Sequence, residues 1–289
     1  MNQPFQRIGL IGKHGDPTVK ATTRRLWDFL SRRGHEVLLE EATCKLLEGR
    51  PLPGVPEIDL PSNSDLVIVV GGDGTLLHAA RVLADQDTPI LGINLGRLGF
   101  LADISPGEML PHLDAILAGD YDEERRFMLQ ASIGEDKGSS DAIPAFNDVV
   151  VHKWNIARMI EFETYINGKL VNDQRSDGLI ISTPTGSTAY ALSGGGPLLM
   201  PSLNALVLVP ICPHTLSNRP IVVDGDSEVE IHLAQGHAEH VRVTCDGQAT
   251  LPVVEGDIIR IRKAEHPVRL IHPRGHDHYN LLRAKLGWG

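Results

Sequence analysis

A doubly wound α/β domain followed by a mostly β domain is the fold class that this 289-residue chain predicts. Three observations carry the prediction. Unbroken aliphatic runs alternate with stretches of helical periodicity in the first part, the rhythm of a parallel sheet with crossover helices. From about Arg126 apolar residues recur at every second position, the period of half-buried strands. Asn167-Gly168, the dipeptide favoured in two-residue hairpin turns, closes one of these alternating stretches. The expected division is an α/β domain over 1–125, a β-rich domain over 126–268 and a final segment, 269–289.

In chain order, Arg7 to Gly12 (RIGLIG) reads as a strand. Thr18 to Arg33 carries Val19, Leu26, Phe29 and Leu30 at helical spacing and stops at Gly34, and Glu36 to Glu40 is the next strand. In DLVIVVGGDGTLLHAA, from Asp65 to Ala80, the run Leu66–Val70 is short and without alternation, as in a strand buried on both faces. After Thr75, Leu76, Leu77, Ala80 and Leu83 suit a helix. Ser105-Pro106-Gly107-Glu108 reads as a capping box with proline at the first helical position, ahead of Met109, Leu113, Ile116 and Leu117. Period two then takes over at Ile160-Phe162-Thr164-Ile166, Val229-Ile231-Leu233 and Val241-Val243-Cys245. Gly134 to Ser140 (GEDKGSS) is expected to be an exposed loop.

Bulk properties narrow the function. The length suits about two ordinary domains. A net charge of −10 argues against a nucleic-acid footprint. No stretch approaches the roughly 18 apolar residues of a membrane span, and the start, MNQPFQRIGLIG, is too polar for a signal peptide. Cys44, Cys212 and Cys245 match neither a disulfide framework nor a zinc spacing. A soluble cytoplasmic protein is expected.

The chemistry concentrates in a few places. Gly71-Gly72-Asp73-Gly74-Thr75 sits at a strand-to-helix turn, at the carboxyl end of the sheet where open α/β folds keep their ligands. Glycines let backbone N–H groups approach an anion, but they do not explain a carboxylate there. The dinucleotide and P-loop fingerprints both fail to fit. What fits is a phosphate-holding loop beside a carboxylate that takes a proton from an attacking hydroxyl. Arg175-Ser176-Asp177-Gly178, a strand, and then Thr183-Pro184-Thr185-Gly186-Ser187-Thr188-Ala189-Tyr190 form the second constellation. Small side chains there could accept a planar base, with Tyr190 as a stacking face and Asp177 as acceptor for an amino group; a Ser/Thr-rich turn is the plainer alternative. Asn147-Asp148 before a strand is either a turn or a pair for ribose hydroxyls. Arg158 and Arg175 are the nearby cations. Lys13-His14-Gly15-Asp16, after the first strand, is a weaker candidate for the rim of the same cleft. His272, His276 and His278 in IHPRGHDH look like a metal tract, but the spacing fits no named zinc site, so a structural or solvated role is expected and no metal ligand is assigned.

G-G-D-G-T at Gly71–Thr75, then Asn147-Asp148, DGLIISTPTGSTAYALSGGGP from Asp177 to Pro197, and Asp246-Gly247-Gln248 resemble bacterial NAD kinases in order, spacing and wording over nearly the whole chain, down to LIHP and KLGW. G-G-D-G-T alone is shared with lipid kinases and 6-phosphofructokinases; the S-T-P-T-G-S-T-A-Y run is far more specific. The resemblance implies transfer of the terminal phosphate of ATP, with a divalent cation such as Mg²⁺, to the adenosine 2′-hydroxyl of NAD. It also implies a final segment that returns to the first domain and a homo-oligomer, dimer or tetramer. By position, Asp73 would accept the proton, with Gly71, Gly72, Gly74 and Thr75 as phosphate loop. Asp73 and Gly74 would also meet NAD, and Asn147 and Asp148 would hold a ribose. Asp177, Thr188, Ala189, Tyr190, Ala191, Leu192 and Ser193 would line the dinucleotide pocket, completed by Arg158, Arg175 and Gln248. Many relatives have Asn-Glu where this chain has Asn147-Asp148. A lipid kinase would need a basic amphipathic surface, and none is seen. A nucleotide sensor would gain nothing from Asp73.

Overall fold

The computed structural model describes residues 4–47, 54–96, 98–134, 142–155 and 157–288. The chain divides into two compact units, Met1–Arg125 with Val268–Gly289, and Arg126–Pro267. Most of the expected loop at 134–140 lies outside the described residues. Among the described residues no helix is long and apolar enough to cross a membrane.

The first unit runs β1 (Arg7–Gly12), α1 (Pro17–Arg32), β2 (Glu36–Glu40), α2 (Glu41–Leu46), β3 (Gly54–Val55), β4 (Leu66–Gly71), α3 (Asp73–Val82), β5 (Ile90–Asn94), α4 (Met109–Leu117) and β6 (Tyr121–Arg126). The chain later re-enters it with β19 (Val268–Pro273) and α6 (His278–Leu286), the return that the resemblance implies. The sheet order is β3-β2-β1-β4-β5-β19-β6, with β1 parallel to β2 and β4, and β5 parallel to β4 and β19. The strand order reverses between β1 and β4, and in such sheets the crevice beyond the carboxyl ends at that reversal is the ligand site. Those ends are Gly12-Lys13 and Gly71-Gly72-Asp73. Every residue of β4 is buried, as its run without alternation requires.

Local signals set the helix ends. Asp16 caps α1 by accepting the Thr18 N–H at 3.0 Å, and Gly34, with φ of +83°, follows its last turn. The capping box is only partly realised. Ser105 Oγ does donate to Glu108 Oε2 at 2.9 Å, but Pro106–Glu108 form a turn and α4 starts at Met109, with no side-chain cap. Proline is therefore ahead of the helix and not in its first turn.

The second unit contains β7 (Leu129–Gly134), β8 (Ile143–Ala145), β9 (Asp148–Lys153), β10 (Ile160–Ile166), β11 (Lys169–Ser176), β12 (Gly178–Ser182), α5 (Tyr190–Ser193), β13 (Ala205–Ile211), β14 (Ile221–Asp224), β15 (Val229–Leu233), β16 (Val241–Cys245), β17 (Ala249–Leu251) and β18 (Ile258–Lys263). They form two antiparallel sheets, β11-β10-β15-β18-β7-β8 and β14-β13-β12-β9-β16-β17. The alternating residues read from the sequence, Ile160, Phe162, Val229, Ile231, Val243 and Cys245, meet in one core fed by both sheets. Asn167 (φ +50°) and Gly168 (φ +73°) make the two-residue turn between β10 and β11. On the other face of β9, β12 and β13, Val150, Ile180, Val207 and Val209 pack with Ala191 and Leu199, so these strands are buried on both sides.

Candidate active site

The first unit carries a cavity of about 250 Å³ at the reversal of strand order, lined by Lys13, Asp16, Gly71, Gly72, Asp73, Asn94, Leu95, Gly96, Gly99 and Lys285. Asp73 opens α3, and its carboxylate is held by the main chain of the loop after β5. Oδ2 accepts from Phe100 N (2.8 Å), and Oδ1 from Leu101 N (3.1 Å) and Ala102 N (3.2 Å). Two glycines make this possible by close approach. A Cβ on Gly99 would lie 2.1 Å from Asp73 Oδ1, and one on Gly71 would lie 2.3 Å from the Thr75 hydroxyl. Gly71, Gly72 and Gly74 all have ordinary φ, so a turn demanding positive φ does not account for them. Asp73 thus has a structural task as well, tying α3 to residues 100–102, which sequence reasoning did not anticipate.

Two ammonium groups offset the carboxylates there. Lys13 Nζ lies 3.2 Å from Asp16 Oδ2, and Lys285 Nζ donates to the Leu98 carbonyl and stands 5.0 Å over the Phe100 ring. Lys285 was missed, although it belongs to the KLGW segment. Asn94, Gly96 and Gly99 were missed too, and the glycine density of NLGRLGF was their signal.

The second unit carries a larger pocket, about 510 Å³, lined by Asn147, Asp148, Val150, His152, Lys153, Asp177, Ala189, Tyr190, Ile211, Thr244, Asp246 and Gly247. Five residues expected to bind nucleotide, Asn147, Asp148, Asp177, Ala189 and Tyr190, are gathered here. Asp148, Val150 and His152 share one face of β9 by the period of two. That period was the available signal for His152, which was missed.

Asp246 organises the Asn147-Asp148 turn. Its Oδ1 accepts from Asn147 N (2.7 Å) and Asp148 N (3.2 Å) and its Oδ2 from Phe146 N (2.9 Å). Burial first, and then the Asp246 charge, push the Asp148 carboxyl up to about 7. Asp177 is engaged by Lys153 at 2.7 Å. Tyr190 is 47% exposed, so its ring is free of the core.

The buried hydroxyls of the Ser/Thr-rich run bond to the main chain, as a turn of that composition does. Thr183 Oγ1 donates to Phe146 O (2.7 Å), Ser182 Oγ to Asn147 O (3.2 Å) and Ser187 Oγ to Pro184 O (2.6 Å), and Leu199 N donates to Ser187 Oγ (3.0 Å). These buried hydroxyls satisfy backbone groups and hold the pocket wall against the Asn147-Asp148 turn. Several other expected residues are not in the pocket lining. Arg175 pairs with Glu161 across β10 and β11 at 2.9 Å; Arg158, Ser193 and Gln248 are exposed, and Thr188 and Leu192 are half-buried. Ala191 is fully buried, packed from α5 onto the apolar layer of Val150, Ile180 and Val209.

The histidine tract divides. His278 begins α6, while His272 and His276 turn inward onto Asp103. His272 is 2% exposed, which excludes a solvated role. Burial alone would raise the Asp103 pKa, but hydrogen bonds from His272 and His276 outweigh it and hold that carboxyl well below the usual range.

Residues 56–121 match the model of the ATP-NAD kinase N-terminal domain and residues 146–273 that of the ATP-NAD kinase C-terminal domain. The NAD kinase of Nitrosococcus oceani is 52% identical over 289 residues, covering 100% of this chain and 99% of the relative. That of Chromohalobacter salexigens is 50% identical over 289 residues, covering 99% and 98%. Among solved structures, yeast NADH kinase complexed with NADH superposes with a TM-score of 0.90 at 25% identity, covering 100% of this chain and 89% of that one. An NAD kinase from Archaeoglobus fulgidus in complex with ATP superposes with a TM-score of 0.78 at 28% identity, covering 98% and 100%.

Proposed function

The chain belongs to the NAD kinase family, and from that premise we propose that it transfers the terminal phosphate of ATP to the 2′-hydroxyl of the adenosine ribose of NAD, with Asp73 as proton acceptor. The observation that carries this reading is the Asp73 carboxylate, fixed by three backbone N–H groups in a cavity that also holds Lys13 and Lys285. A carboxylate offers about four acceptor sites, and the main chain takes three, which leaves one on Oδ2 for a hydroxyl proton. As the ribose oxygen bonds to the phosphorus, the bond to the leaving ADP oxygen breaks and the hydroxyl proton passes to Asp73. The two lysines and the first N–H groups of α3 face the phosphate charge, where the helix dipole also favours an anion. Positioning and charge neutralisation are most of what phosphoryl transfer asks of a protein.

The oxygen donors in that cavity, Asp16 and the Asn94 amide besides Asp73, fit Mg²⁺, which keeps its waters and leans on substrate phosphates. Asp16 and Asn94 would hold it, and when bound it supplies charge neutralisation on the transferred group.

In the second unit, Asn147 and Asp148 take ribose hydroxyls, Asp177 takes an amino group, and Tyr190 offers its exposed ring to a base. Thr188, Ala189, Leu192 and Ser193 supply backbone and small side chains near that ring. Arg158, Arg175 and Gln248 complete binding from outside the pocket lining. A homo-oligomer, dimer or tetramer, in the cytoplasm belongs to the same reading and is supported by the family resemblance alone.

Purified protein given ATP, Mg²⁺ and NAD should form NADP. NAD lacking the adenosine 2′-hydroxyl should compete with NAD yet never be phosphorylated. A phosphorylated product from that analogue would mean that a different hydroxyl attacks.

Tyr190→Ala should weaken NAD binding by roughly 1–3 kcal/mol, the range for one base stacked on an aromatic ring. Because the ring is half exposed, circular dichroism should be unchanged. Unaltered affinity measured by calorimetry would remove Tyr190 from the pocket.

A further inference from the structure

We infer that Asp103, His272 and His276 form a binding site for a divalent transition cation of the Zn²⁺ class, outside the phosphate cavity. Asp103 lies between β5 and α4, His272 is in β19, and His276 is in the turn before α6, so three separate stretches of the first unit supply the donors. His276 Nδ1 is 2.8 Å and His272 Nδ1 3.3 Å from the same oxygen, Asp103 Oδ2. Ligand atoms of the three all lie within 4.8 Å of one another. A tetrahedral ion with bonds of about 2.0–2.2 Å needs donors roughly 3.3–3.5 Å apart, so the His276–Asp103 pair has to part by about half an ångström and no pair has to close by more than about 1.5 Å. Two imidazoles and a carboxylate, with one position open, suit Zn²⁺, Co²⁺ or Ni²⁺ better than Mg²⁺ or Ca²⁺.

The surroundings are those of a built site. Among the described residues the cluster is shielded, with the His272 side chain 2%, His276 12% and Asp103 14% exposed. The turn carrying His276 is pinned from outside: Arg274 pairs with Asp120 (3.0 Å) and Asp122 (2.6 Å), and Gly275 N donates to Asp122 (2.7 Å). Ligation through Nδ1 places the ring proton on Nε2. For His272 that nitrogen is 3.6 Å from Glu124 Oε2, an ion-pair distance just beyond hydrogen-bond reach, so a small closure would bring this carboxylate behind the ligand. The His276 Nε2 is buried with no hydrogen-bond partner among the described residues. The two rings stack at 3.8 Å with planes 22° apart, so both nitrogens already face the carboxylate from one side. None of these groups belongs to the nucleotide chemistry.

The test is a titration of chelator-treated protein with Co²⁺ in the absence of nucleotide. One equivalent should bind per chain with visible d–d bands, and Zn²⁺ should displace it. His276→Gln and Asp103→Asn should abolish the bands while keeping the wild-type circular dichroism, and Glu124→Gln should weaken binding by about tenfold or more. The inference is overturned if the wild-type chain shows no bands, or if both His276→Gln and Asp103→Asn keep them. Should these variants fail to fold, anomalous diffraction from Zn²⁺-soaked wild-type crystals decides: a peak about 2.0–2.1 Å from His276 Nδ1 is required, and its absence overturns the site.

Discussion

An Asp73→Asn variant should lose about 10²- to 10⁴-fold in turnover, the usual contribution of a general base, while still binding NAD. The substitution keeps the side chain's shape and removes the group that accepts the proton. It also disturbs the main chain. An amide has one acceptor oxygen where the carboxylate has two, so either Phe100 N–H or the pair at Leu101 and Ala102 loses its partner. Thermal unfolding should therefore show a loss of about 1–3 kcal/mol beside the kinetic one. The two effects separate by measurement. A fall in turnover caused by a lost metal contact would be partly recovered by raising Mg²⁺, and a fall caused by loosening of residues 100–102 would raise KM for NAD or ATP in step. Near wild-type formation of NADP would remove Asp73 from the chemistry altogether.

The second large effect is one of pH. The Asp148 carboxyl stands near 7 in the folded chain against 3.8 in the unfolded one, because burial and the Asp246 charge both disfavour its ionised form. Between these values the folded state holds a proton that the unfolded state has released. Stability from this group is thus fully present below about pH 4 and is lost as pH rises to about 7. Asp148→Asn removes the ionisation, so the variant should gain on the wild-type protein across that window, by about 2–4 kcal/mol at pH 8. Melting curves of both proteins at pH 5 and pH 8 give the comparison. An unchanged difference at the two pH values would mean that Asp148 is ionised throughout.

Periodicity made the fold legible where burial follows a simple rule. Leu66–Val70 and the alternating residues of β10, β15 and β16 were read correctly because each lies in a sheet whose faces are plainly dry or half wet. The start of α4 was misread because Ser105 and Glu108 satisfy each other inside a turn, a local bond that does not require a helix. At the site, Asp73 and Tyr190 stood out because their residue types are anomalous in their settings. Lys153 did not, and Lys285 and Asp246 were marked only as members of the KLGW and Asp246-Gly247-Gln248 motifs, since each acts by reaching a partner far away in sequence. Lys285 reaches the Leu98 carbonyl and Asp246 the backbone of Phe146 to Asp148. The hydroxyls of residues 182–187 were legible as a Ser/Thr-rich turn, and the bonds they make satisfy the backbone.

The place of β19 sets an order on the birth of the first sheet. It lies between β5 and β6, yet β5 ends at Asn94 and β6 at Arg126, while β19 begins only at Val268. At about 5–20 residues per second, a growing chain leaves that slot open for roughly 10–35 s after β5 is made. Until then β5, and β6 once Arg126 has been made, each lack the partner strand that separates them in the finished sheet, and their unpaired backbone groups invite the wrong neighbour. The second unit is completed inside the same interval, so the part of the chain made first is the last to close.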